Sequence, residues 1–176
     1  ALAGPAGLDI DAVALIIEHG DYPVNEFGQI LYPRYELFQQ IVEVFRKSGK
    51  SVPVFCDKHL SYDHKKAADM VATAKKMGFG LMVGSSLPVT WRVPQVELPR
   101  ESPIEEAVVA FGYDRSHAEI YLFHALECLQ CMVERRRGGE TGVKSVVCLQ
   151  GDAVWKACDE GRISWPLVVE AIGRSP

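Results

Sequence analysis

Two short segments concentrate imidazole and carboxylate groups: His19 and Asp21 in one, and Asp57, Lys58 and His59 in the other, with Asp63 and His64 soon after. Such groups within reach of one another suit general acid and base work, and they also suit a divalent metal. The residues are spread over two segments rather than held at tight ligand spacing, so no metal is assigned. The first reading is a cluster that binds a polar substrate, and hydrogen-bonded loop caps are the alternative.

Lys58, flanked by Asp57, can steady an oxyanion or pass a proton if burial shifts its pKa, and the plainer reading is an ion pair that closes a strand end. His124 lies one helical turn before Glu127, which places a carboxylate where it can orient the ring. That pairing makes His124 a candidate catalyst and Glu127 its support, although a lone helix histidine is more often an interior group. Cys128 and Cys131 have Cys-x-x-Cys spacing, but the pair falls in the middle of its helix, away from the N-terminal dipole that activates redox pairs. They read by default as small buried apolar residues.

These groups need elements to hold them. Val13, Ala14, Leu15, Ile16 and Ile17 form a continuous apolar run, the pattern of a parallel strand covered on both faces. The residues before it, from Ala1 to Gly7, read as the end of a helix and a loop. Apolar residues at helical spacing predict helices over residues 33–47 and 63–77, closed by Gly49 and Gly78. Residues 52–56 and 81–83 read as further strands, with Pro53 at the beginning of its strand. The order is strand, helix, strand, helix, strand, which implies parallel pairing through crossovers. The three strand ends then fall at Glu18 to Tyr22, at Asp57 to His59, and at Gly84 to Ser86, where an α/β sheet gathers ligands. Trp91 and Arg92 lie just beyond the third end and join Ser86, His19, Asp21, His59 and Glu127 as candidate substrate contacts.

Residues 87–103 are proline-rich and aperiodic, and separate a partial α/β domain at 1–86 from a lobe at 104–176. In that lobe strands are expected at 107–111 and 143–149. Helices are expected at 117–137, 153–158 and 166–172, with Trp155 and Trp165 packing the last two. The lobe therefore reads as α+β. The arginine run Arg135, Arg136 and Arg137 before Gly138 fits a helix C-terminus.

The 176 residues are 48% hydrophobic and 24% charged with a net charge of -4, a globular profile. Nucleic acid is a poor partner for an acidic chain, and no apolar run approaches the ~20 residues that span a membrane. Five irregularly spaced cysteines do not make a disulfide framework, which points to a reducing, cytoplasmic compartment.

The run Val54-Phe55-Cys56-Asp57-Lys58-His59, followed by a helix and then Gly80-Leu81-Met82-Val83-Gly84, resembles the second half of the nucleotide-binding domain of the glucose-fructose oxidoreductase and inositol dehydrogenase family. The family's strand ends in Glu-Lys-Pro, where this chain has Asp57, Lys58 and His59. The opening Asp9-Ile10-Asp11-Ala12-Val13 is similar to the family's strand entry, and His124-Ala125-Leu126-Glu127 looks like its His-x-x-Asp helix. The resemblance implies a Rossmann-like half sheet followed by a partial substrate lobe. It also implies NAD(P)-dependent chemistry on a sugar-like or polyol hydroxyl, with Lys58 and His124 assisting proton transfer, and Asp57 beside Lys58 joins them as the catalytic candidates. An exposed sheet edge left by missing strands would invite pairing with another copy, so a homo-oligomer is expected.

The chain contains no Gly-x-Gly-x-x-Gly and opens without methionine, so the resemblance places the dinucleotide loop upstream, and the usual cofactor site is expected to be missing. A cofactor-independent hydrolase using the same acids and histidines, and a non-catalytic oligomerising module, are the alternative functions.

Overall fold

A computed structural model describes residues 3–4, 7–17, 20–112 and 118–174. They form two compact units, Ala1–Ser85 and Ser86–Pro176.

In the first unit, β1 (Ala3–Gly4) and β2 (Gly7–Leu8) pair antiparallel, so the expected helix end is instead a small strand pair. Strands β3 (Val13–Leu15), β4 (Val54–Asp57) and β5 (Leu81–Gly84) then make a parallel sheet in sequential order. The register sets Ala14, Phe55 and Met82 in one row, and Leu15, Cys56 and Val83 in the next. Pro53 lies just before β4 and offers only its carbonyl, which accepts from the Val13 N–H at 2.9 Å.

Helices α1 (Arg34–Ser48) and α2 (His64–Met77) connect the strands and pack on each other. Gly49 and Gly78 end them in left-handed conformations that glycine adopts freely. The Asp63 carboxylate caps α2, accepting from the Lys65 and Lys66 N–H groups at 2.7 and 3.0 Å. Phe38, Ile41, Val42 and Phe45 of α1 are buried with Met70 and Ala74 of α2, and Phe79 sits against the rings of Phe38 and Phe45. Each buried phenylalanine contributes about 2 kcal/mol. A surface contact such as Lys66 with Glu36 is worth roughly 0.5 kcal/mol. The apolar stripe therefore holds this unit together.

Among the described residues of the first unit, α1 and α2 cover one face of the sheet. Val13, Leu15, Val54 and Cys56 are buried, whereas Ile16 and Met82 are 64% and 69% exposed. The apolar pattern of residues 13–17 predicts cover on both faces, and α1 and α2 supply one layer.

The second unit opens with a 3-10 turn at Leu87–Val89 and holds α3 (Ala118–Val133), α4 (Asp152–Asp159) and α5 (Trp165–Gly173). The proline-rich segment is part of this unit rather than a free connection. Leu98 O accepts from Arg135 Nη1 at 2.7 Å, and Ser102 O accepts from the Arg137 N–H at 2.9 Å. Helix α3 ends at Val133, short of the expected end at 137. Trp155 and Trp165 stack with centroids 6.0 Å apart, joining α4 to α5.

The expected strands at 107–111 and 143–149 do not form. Both segments are apolar and β-branched, but a strand is a pairing property and no described segment pairs with either, so Val143, Val146 and Val147 are exposed. Among the described residues the second unit is helical with irregular chain, and the α+β expectation is corrected accordingly.

Candidate functional site

The carboxyl edge of the parallel sheet is organised by a residue that no motif singled out. Arg34, the first residue of α1, is 1% exposed. Its Nη1 donates to Asp57 O and its Nη2 to Ile17 O, so one guanidinium ties the end of β4 to the chain leaving β3. The planar fork can satisfy two carbonyls at once, which a lysine ammonium does less well. The guanidinium carbon lies 5.2 Å from the centroid of Tyr32, whose ring meets His59 edge-on at 5.7 Å. Arg34 Nε has no hydrogen-bond partner among the described residues.

Lys58 follows β4 with φ 61°, a left-handed backbone that side chains with a Cβ rarely adopt. Its N–H donates to Gly84 O at 3.0 Å and closes the sheet edge. Successive strand side chains point to opposite faces, and this turn breaks the alternation. Lys58 Nζ and Asp57 Oδ2 consequently meet at 3.0 Å, with side chains 14% and 16% exposed. Strain of this kind, about 1 kcal/mol, gathers where a backbone is held for function.

That strain has a measurable sign. Lys58→Gly is expected to be more stable than Lys58→Ala by about 1 kcal/mol in urea unfolding, the reverse of the usual order, because both lose the Asp57 pair and only glycine relaxes at positive φ. Equal stabilities would show that the backbone is unstrained.

Burial, and then the Arg34 charge, push the His59 imidazole down to about 4, so it is neutral at pH 7. Burial also raises the Cys56 thiol, with Arg34 opposing, which leaves a poor nucleophile under the edge. The edge thus presents one ammonium, its carboxylate and a neutral imidazole. This set can donate to a hydroxyl or an oxyanion.

No protein-family model, curated protein or solved structure matches this chain.

Of the residues singled out in the sequence, the structure brings Asp57, Lys58 and His59 together. Asp21 is exposed, and His19 lies outside the described residues. Asp63 serves as a helix cap, the plainer of its two readings.

The remaining candidates belong to the second unit. His124 Nδ1 and Glu127 Oε2 are 3.4 Å apart on α3, both largely buried, so the expected carboxylate–imidazole pair is present as geometry. Ser86 is exposed and Trp91 is 98% exposed. Arg92 is engaged by Glu97 at 2.9 Å and by the carbonyls of Pro88 and Val96.

The residues missed were Arg34 and Tyr32. A signal for Arg34 existed, since a cation in the first turn of a helix opposes the dipole and needs another reason to be there.

Proposed function

We propose that the protein is oxidoreductase-like, related to NAD(P)-dependent dehydrogenases of sugars and polyols, and that Lys58 is the group that meets the substrate hydroxyl. The observation that carries this reading is Lys58 itself, held at the carboxyl end of the central strand in a left-handed backbone and ion-paired to Asp57. Three sequential parallel strands, with an uncovered apolar row on the far face, are what half of a doubly wound Rossmann-like sheet presents, and such sheets bind at this edge. His124 and Glu127 form a second acid-base pair suited to the same chemistry.

At the two helix starts beside the parallel sheet, the described residues do not fit the pyrophosphate of a dinucleotide. That group needs free N–H groups at a glycine-rich helix start, whereas α1 begins after Pro33 and the first N–H groups of α2 already bind Asp63. The proposed role is therefore recognition and proton handling at a polyol, in a reducing cytoplasm where all five cysteines stay free. The exposed valines of residues 143–149 favour pairing with a second copy.

Calorimetric titration tests the assignment with myo-inositol, glucose, NADH and NADPH against the wild type and Lys58→Met. Saturable polyol binding that the variant loses, without saturable dinucleotide binding, is expected. Unchanged binding in Lys58→Met, or no polyol binding at all, would overturn the role of Lys58. Hydrolytic turnover by dialysed protein would favour the hydrolase alternative.

A further inference from the structure

The Cys-x-x-Cys pair of α3 is not the pair of buried apolar groups that its sequence suggests. Cys128 and Cys131 are half-buried and line one side of a cavity of about 680 Å³ within the second unit. Met132 lines the same cavity, so two thiols and a thioether share one space. Positions three apart on a helix set their Cβ atoms about 5 Å from each other, near enough for both sulfurs to reach a single ion. Cys131 Sγ is 3.1 Å from the Cys128 carbonyl, and Arg92 Nη2 approaches the same sulfur at 3.7 Å.

We propose that Cys128, Cys131 and Met132 form a binding site for a soft monovalent cation, Cu(I), with Arg92 as the balancing charge. Thiolate and thioether donors select Cu(I), whereas structural zinc takes four ligands and hard cations take oxygen. Among the described residues no three His, Cys, Asp or Glu side chains converge as a metal cluster, so this pair does not extend into a zinc-type set.

Binding exchanges two thiol protons for one Cu(I) and leaves a bis-thiolate complex of charge -1. The Arg92 guanidinium lies where that charge appears.

The test is anaerobic competition of the full chain against the coloured Cu(I)–bicinchoninate complex. The wild type is expected to withdraw one equivalent. Cys128→Ser and Cys131→Ser should each weaken binding by about 100-fold, and Arg92→Gln by about 10-fold. Cys148→Ser, at an exposed cysteine elsewhere, should change nothing. X-ray absorption on the intact loaded chain should report two or three sulfur neighbours around copper, a readout that does not depend on how well any variant folds. Withdrawal that survives Cys128→Ser together with Cys131→Ser, no withdrawal by the wild type, or oxygen and nitrogen neighbours around the metal would each overturn the proposal.

Discussion

Replacing Arg34 with methionine is expected to lower the unfolding free energy of the first unit by about 3 kcal/mol, read as a shift of the urea midpoint at unchanged slope. Methionine preserves most of the apolar stem, so the loss isolates the guanidinium. Two hydrogen bonds to Asp57 O and Ile17 O disappear, and each carbonyl left without its donor costs about 1 to 2 kcal/mol. An opposing term comes from no longer burying a charge, which is why the expected loss is not larger. Arg34→Lys should recover only part of the loss, because a single ammonium cannot present the fork that reaches both strand ends. A midpoint shift worth less than about 1 kcal/mol for Arg34→Met would mean that water replaces the guanidinium at these carbonyls, and that the sheet edge does not depend on it.

The legibility of this chain divides along the line between local and non-local causes. Helices α1 and α2 are readable to within a residue because stripe, cap and terminating glycine are all local: Phe38 and Phe45 on one face, Asp63 at one start, Gly49 and Gly78 at the ends. The three parallel strands are readable because their apolar runs alternate with those helices. Residues 107–111 and 143–149 carry equally strong strand composition and form none, since composition does not report whether a partner strand is at hand. At the site, the cluster of Asp57, Lys58 and His59 is visible from residue type alone. The left-handed turn that pairs the first two is not visible, because lysine is a poor marker for positive φ, where glycine or asparagine is expected. Arg34 escapes notice because its partners are carbonyls, which every residue has, and because it lies 23 residues from one of them.

The neutral state of His59 makes the first unit sensitive to acid, with a sign that follows from its environment. Its ordinary value of 6.5 falls to about 4 in the fold. Below pH 6.5 the unfolded chain takes up a proton that the native chain refuses, so stability is fully present above that pH, declines as pH falls, and is lost by about 4. The expected decline is on the order of 2 kcal/mol after solvent screening is discounted. His59→Gln keeps a polar side chain without the titration, and should flatten stability between pH 6.5 and 4 relative to the wild type. The imidazole resonance of His59 should titrate near pH 4 by NMR; a midpoint near 6.5, or a slope unchanged in the glutamine variant, would remove His59 as the cause. Burial is the larger influence on this ring and Arg34 the second. In Arg34→Met, therefore, the midpoint should rise but remain below 6.5. A return all the way to 6.5 would show instead that the arginine, by holding the two strand ends closed, is also what keeps His59 out of water.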